Sequence, residues 1–526
     1  LDPLILSVFL STADVRDLFV HDDLVWAATS GGLEVYDLRG ERIAHATDLP
    51  RASLEAVGLH RGQVAVGTAG GGAAVWSPAD ASFRPVETGT EHPDGEVVAV
   101  LQDALVTRGG RVVGADDWRL GAGVTDAVVW GDALVAGTLS GELVVWQHGV
   151  VARWDLPGPA VDLAVVDGEV RVACQVAAAV FDGASVETIP LAATAAGAAW
   201  GLADGRLVDE AGVITRVPGA VTAVAQLDGA WVLGTADGLW WLDDRGLRRV
   251  TDEGQLCGPF LMGATDWEGR LVAASFDDGA CVLDSGSWRR LHDLPTEMLN
   301  DALAVDGTLW LASSAGLVRV AESVETVGVA GPRTSSLLQG THHTAVTSLA
   351  ASDGTLWVSD ILGPTAVRGE RWRRKRLWLW GLSYQDVAAC GDEAWVASED
   401  AGVSWTDGKR WQHHDASTGL PDDWIMAVTC DQSVGYAGTY QDGVWAHQDG
   451  AWKQLEGLPD PWVLSLAHDG QHLWAGTMSG LFVWDGSWRA VEGLPHPAVH
   501  DLEIDGDRLL VSTEGGLAVV STLVDG

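Results

Sequence analysis

The chain has 526 residues and sets Lys+Arg 32 against Asp+Glu 73, a formal net charge of −41. That balance repels nucleic acid and anionic membrane faces, and the length exceeds what one ordinary core serves. No apolar run reaches the ~20 residues of a membrane-crossing helix. The acidic residues are scattered singly through turns, the pattern of a solvated surface and not of an interaction tail. Cys174, Cys257, Cys281, Cys390 and Cys430 show no CxxC spacing, so neither a zinc site nor a disulfide framework is indicated. All five read as buried thiols. Cys390 and Cys430 occupy similar places in adjacent repeats, a separation that reads as too wide to bridge.

In chain order, residues 1–12, LDPLILSVFLST, read as a single strand ahead of the first repeat. A unit then recurs, marked by its second strand and turn: LVWAATSGGLEVYD at Leu24, LVAGTLSGELVVW at Leu134, WVLGTADGLWWLD at Trp231, LWLASSAGLVRV at Leu309 and LWAGTMSGLFVWD at Leu473. There are fourteen such markers, degenerate at Leu105 and Gly201, at about 37 residues per repeat. One full copy runs from Glu456 to Pro495 and holds four short apolar runs separated by HDG, MSG and DGS. Four strands joined by tight glycine turns follow from this. Such a unit has two apolar faces and buries them only against copies of itself, as propeller blades do. The expected fold is all-β: two tandem seven-bladed β-propellers of fourteen four-stranded blades, at 13–253 and 254–526. After LAVVS at Leu517 the last repeat is too short for an outer strand. Leu4–Leu10 is expected to supply it, leaving no open sheet edge.

The repeat also reads GLP, then DG-x-LW-x-GT-x-x-GL, then a Trp-bearing strand, clearest from Gly419-Leu420-Pro421 through Gly493-Leu494-Pro495. In this it resembles the two-component regulator propeller family, over nearly the whole chain. The resemblance implies tandem sensor or ligand-binding propellers whose functional loops follow the GLP tripeptides. It brings no signalling activity with it. The sequence opens at Leu1 without a methionine, from which a removed leader is expected. Together with the resemblance, this favours a periplasmic or extracellular location.

Those entry loops offer Asn300, Tyr384, Gln385, Asp423, Trp424, Trp462 and His500, side chains suited to a small glycan or a peptide. At the start of the innermost strands stand Asp17, Asp126 and Asp162 in the first ring and Asp301, Asp386 and Asp501 in the second. Either a ring of carboxylates holds a structural Ca²⁺, or each accepts a backbone N–H of the neighbouring blade. Trp288, Trp372, Trp411, Trp452 and Trp488 recur in outer strands and read as packing between blades.

The one concentrated positive feature is Arg371, Trp372, Arg373, Arg374, Lys375, Arg376, Trp378 and Trp380, preceded by a long entry segment from Arg333 to Thr344. It would grip an acidic protein partner or, as an outer strand, discourage edge pairing. Ser398–Trp405 matches a sialidase Asp-box, but in the turn between second and third strands, where such a box does not belong. The pairs His342-His343 and His413-His414 point to opposite faces if extended and read as surface residues without a metal. No nucleophile elbow, P-loop or dinucleotide fingerprint is present, and no other cofactor is indicated. The expectation is a non-catalytic recognition or scaffold module. A structural subunit of an envelope or extracellular assembly, and a glycan hydrolase or lyase, stand as alternatives.

Overall fold

The computed structural model describes residues 4–523 except 13, 47–52, 78–81, 87–95, 115–117, 122, 237, 252–254, 322, 328–344, 361–362, 370, 375–382 and 432–433. Its strands form fourteen separate antiparallel sheets, numbered here in chain order from Val15–His21 onward. Thirteen have four strands. The sixth has three (Trp200–Gly201, Arg206–Asp209, Gly212–Arg216), against the expected four. Before Trp200 the sequence is LAATAAGAA, too poor in side chain to hold a ladder, and pairing there falls to the bridge Ala195 to Gly201.

Each four-stranded sheet but the last grows strand by strand, because turns such as Asp306-Gly307 place both residues at positive φ (50° and 76°) and fold the chain straight back. Its first strand opens on a wholly buried side chain such as Val15, Leu299 or Val499. A register irregularity follows at once in every four-stranded sheet, as between Leu299 and Asp301. The extra residue turns the next side chain toward the adjoining sheet.

The sheets belong to two compact units: Ser11–Glu253, here the N-terminal unit, and Leu1–Leu10 with Gly254–Gly526, the C-terminal unit. Each holds seven sheets, and in each the last packs on the first. In the N-terminal unit Val15, Val25 and Tyr36 share one core with Val232, Leu239 and Trp241, and Thr222 Oγ1 donates to the Val15 carbonyl. In the C-terminal unit Leu261 and Ala273 share one core with Leu510, Leu517 and Val519.

The strand Ile5–Phe9 pairs antiparallel with Gly516–Ser521, and Phe9 meets Trp288 edge to face at 5.4 Å. Trp288, Trp372, Trp411, Trp452 and Trp488 all lie on fourth strands. Each packs on its own or a neighbouring core, and Trp488 Nε1 donates to the Leu455 carbonyl of the preceding sheet.

The cysteines correct the sequence reading. Cys390 and Cys430 form a disulfide with Cα atoms 6.1 Å apart, and Cys257 pairs with Cys281 at 5.7 Å. Only Cys174 is a free, buried thiol. Equivalent positions one repeat apart are distant on outer strands but converge on first strands, where Cys390 and Cys430 end their segments. Both disulfides lie in the C-terminal unit. Reduction is therefore expected to lower only the melting transition of that unit, by about 2–4 kcal/mol per bridge. Deleting residues 1–9 should weaken the same transition by exposing a strand edge. Calorimetry of the intact chain checks both, and a shift confined to the other transition would contradict this assignment.

Candidate functional site

First strands of the C-terminal unit surround a cavity of about 460 Å³, and Asn300, Asp301, Gln385, Asp386, His500 and Asp501 all line it. The irregularity at each strand start decides what these side chains do. Asp301 Oδ1 accepts the N–H of Ala302 at 2.6 Å, and Oδ2 accepts that of Leu349 in the next sheet at 2.7 Å. Asp386 accepts from Val387 N at 2.7 Å, from Ser348 Oγ of the preceding sheet at 2.7 Å, and from Val428 N of the following sheet at 2.8 Å. Asp501 takes the N–H of Ala264, joining the last sheet to the eighth. Asn300 Nδ2 donates to the Val346 carbonyl at 2.7 Å. In the N-terminal unit Asp17, Asp126 and Asp162 bond Val57, Leu163 and Ala196 in the same way. These carboxylates act as clamps between sheets. Among the described residues no group of three His, Cys, Asp or Glu is placed to hold a metal ion.

Clamping has an electrostatic cost. Burial pushes Asp301 up to about 7, with Asp386 adding repulsion, and pushes Asp386 up as well. Burial and the charges of Asp301, Glu503 and Asp386 hold Asp501 well above the usual carboxylate range. Glu503 also lines the cavity and rises to about 8, through burial and then the charge of Asp301. Sequence reasoning missed Glu503, which stands two residues beyond a marked aspartate on the same strand.

At the starting end of these strands lies an aromatic ladder. Trp424 stacks on Tyr440 with ring centres 4.2 Å apart and planes 9° off parallel, and Tyr440 stacks on Trp462 at 5.6 Å and 10°. Trp424 and Trp462 are 38% and 43% exposed. Each stands immediately before its first strand, after a GLP tripeptide, and donates its backbone N–H to the carboxylate of Asp422 or Asp460. Tyr440 follows the second strand, and its N–H donates to the Trp424 carbonyl at 3.2 Å. A bond spanning sixteen residues recurs as Phe276 to Phe260, Ser314 to Met298, Glu399 to Ser383, Met478 to Trp462 and Glu514 to Ala498. It places one pair of rim residues per sheet. The equivalent pairs described in the N-terminal unit carry no aromatic ring, among them Ser30 with Asp14, Ala69 with Ser53 and Leu139 with Gly123.

Other residues singled out from sequence fall elsewhere. Tyr384 is 1% exposed and packs with Val387 and Val396, because the opening position of a first strand is a core position, so it does not offer its ring to a ligand. Asp423 accepts the N–H of Ala416 at 2.7 Å and so shapes its loop. Arg371–Arg374 forms an outer strand paired with Thr365–Arg368, with Arg371 and Arg373 exposed and Trp372 turned to the core. Lys375, Arg376, Trp378, Trp380 and the segment from Arg333 to Thr344 lie outside the described residues. The Ser398–Trp405 stretch sits between second and third strands. His414 is not at the surface: it packs 4.7 Å from His447 among Trp395 and Trp452, and burial lowers it to about 4.

No protein-family model matches the chain, and no curated protein matches it in sequence. Among solved structures it is similar to PorZ, described as an essential surface component of the type-IX secretion system of Porphyromonas gingivalis. That likeness has TM-score 0.57 at 14% identity and covers 98% of this chain and 86% of the other. The extracellular domain of a hybrid two-component system from B. thetaiotaomicron is also similar, with TM-score 0.45 at 13% identity, covering 97% and 81%. The first likeness bears on fold alone. It is a tandem arrangement of small antiparallel sheets, and no helix among the described residues is long and apolar enough to cross a membrane.

Two outcomes follow from the clamps. Asp386→Ala leaves three buried donors unpaired and is expected to cost about 3 kcal/mol or more in the C-terminal unit, with Asp386→Asn costing less; denaturant titration reads both. Glu503 has a folded pKa above its unfolded value, so the folded state holds the extra proton between pH ~4.5 and ~8, and stability falls as pH rises through that window. Glu503→Gln is therefore expected to raise the melting temperature at pH 8.5, by about 2–4 °C per kcal/mol relieved, and to change little at pH 5. An equal effect at both values would contradict the assignment.

Proposed function

We propose that the chain is a non-catalytic recognition module built of two seven-bladed propellers, a member of the two-component regulator propeller type working in the periplasm or outside the cell. Its binding site is the mouth of the C-terminal unit, formed by Trp424, Tyr440 and Trp462 over the cavity that Asn300, Gln385 and His500 help to line. The exposed aromatic ladder carries this reading, because large stacked rings left in solvent at the end of a polar cavity are the makings of a ligand platform. Against catalysis stands the employment of Asp301 and Asp386: both hold backbone N–H groups across sheets, so neither is free to act as a paired acid and base. A second reading, a subunit of a surface assembly docking through its outer strand, rests on the exposed Arg371 and Arg373.

The test is a glycan and peptide array probed with the wild-type protein, with Trp424→Ala/Trp462→Ala and with Arg371→Glu/Arg373→Glu. Retention of a ligand class that only the double Trp variant loses, by about tenfold or more, is the expected result. Retention lost only by the charge-reversed variant would move the function to the outer strand.

A further inference from the structure

The cavity holds more negative charge than its clamps employ. Of its four carboxylates, Asp301 and Asp386 spend their oxygens on backbone N–H groups. Asp501 gives one oxygen to Ala264, while its Oδ2 is shielded from solvent and accepts nothing. Glu503 lies two residues along the same strand, hence on the same face. Burial and then the repulsion of Asp301 and Asp505 raise it. Among the described residues no lysine or arginine lines the cavity. The nearby guanidinium, Arg508, is already paired with Asp266 and Asp505. His500 Nε2 is directed to Glu514 at 2.9 Å, and His468 faces Asp431 at 3.7 Å. Two half-buried carboxylates facing one cavity without a cation are unfavourable unless something of opposite charge enters.

We propose that this mouth takes an organic cation, a primary ammonium or guanidinium on an apolar body, with its charge between Asp501 and Glu503 and its body against Trp424, Tyr440 and Trp462. The inference rests on the recognition reading above and adds the charge of the ligand. Two further observations favour it. Among the described residues no three acidic, cysteine or histidine groups are placed for a metal, whereas ammonium and guanidinium donors are satisfied by two carboxylates. Indole faces carry negative potential and attract cations, and the ladder offers two such rings partly bare. The volume of about 460 Å³ suits a small amine or a short basic peptide segment.

Asp501 and Glu503 hold their protons more tightly than free carboxylates do, Glu503 being raised to about 8 and Asp501 held above the usual range by burial and its acidic neighbours. An entering cation displaces those protons. Binding therefore releases protons and strengthens as pH rises from 6 to 8.5.

The experiment is calorimetric titration of the whole chain with agmatine and with the tripeptide Gly-Arg-Gly, in two buffers of different ionisation enthalpy, beside a neutral oligosaccharide series. Wild type is expected to bind the cations with net proton release, about tenfold more tightly at pH 8 than at pH 6. Glu503→Gln should lose about tenfold in affinity while melting no lower than wild type, so the loss is not one of folding. Absence of cation binding, or binding undiminished in Glu503→Gln, overturns the inference. If neutral oligosaccharides bind instead and Trp424→Ala abolishes that binding, the ligand's charge is wrong and the recognition reading stands. If nothing binds and Trp424→Ala changes nothing, both fall.

Discussion

A small antiparallel sheet with two apolar faces cannot exist alone, and the bond on which this molecule depends is the one that fixes each sheet to the next. It runs from the carboxylate of a first strand to a backbone N–H four residues into its neighbour's, as from Asp386 to Val428 or Asp17 to Val57. Side-chain packing between sheets is non-directional and would tolerate sliding. The clamp does not, because its two oxygens also hold the strand's own next N–H. Register between sheets is thus set by a directional contact beside the central cavity, and the outer Trp residues fill what remains.

The clamp and the candidate site are made of the same material. An aspartate buried at the start of a first strand is stabilised by N–H donors and opposed by desolvation and by its fellows across the cavity. Where two donors and a hydroxyl meet one carboxylate, as at Asp386, the balance closes. Where donors run short, as at Asp501 and Glu503, unspent charge is left facing the cavity. The charge on which the proposed recognition rests is what the clamping of sheet to sheet leaves over.

Much of this was legible beforehand because repeats print their geometry in spacing. Strand order, glycine turns and the six marked aspartates all follow from a period of about 37 residues. What escaped was contact between repeats. Cys390 and Cys430 stand one repeat apart in the same register, and only the convergence of first strands makes that separation bridgeable. Tyr384 looked like a ligand residue because it is aromatic, yet it occupies the position that Val15 and Leu299 fill elsewhere, and the equivalence was there to be read. Tyr440 was invisible, since its meaning lies in standing between two Trp residues supplied by successive repeats.

The two units show how a shared scaffold acquires a difference without changing its frame. Both carry the clamps, the start-of-strand irregularity and the sixteen-residue rim bond. In the N-terminal unit the rim bond joins residues such as Ser53 and Ala69, while first strands spend their charge on one another, Arg16 meeting Asp14 and Glu55, and Arg108 meeting Glu96. Its clamp carboxylates are pushed up nonetheless, Asp162 to about 7 by burial and the charge of Asp17, and Asp126 well above the usual carboxylate range by burial and the charge of Asp162. In the C-terminal unit the same rim positions carry Phe260, Met298, Trp424, Tyr440 and Trp462, and among the described residues no lysine or arginine lines the cavity. Since the backbone bonds are alike, the difference resides wholly in side chains that the fold does not require. Exposed indoles and uncompensated carboxylates each cost stability in the free protein, a cost that the proposed ligand would relieve by covering the one and neutralising the other.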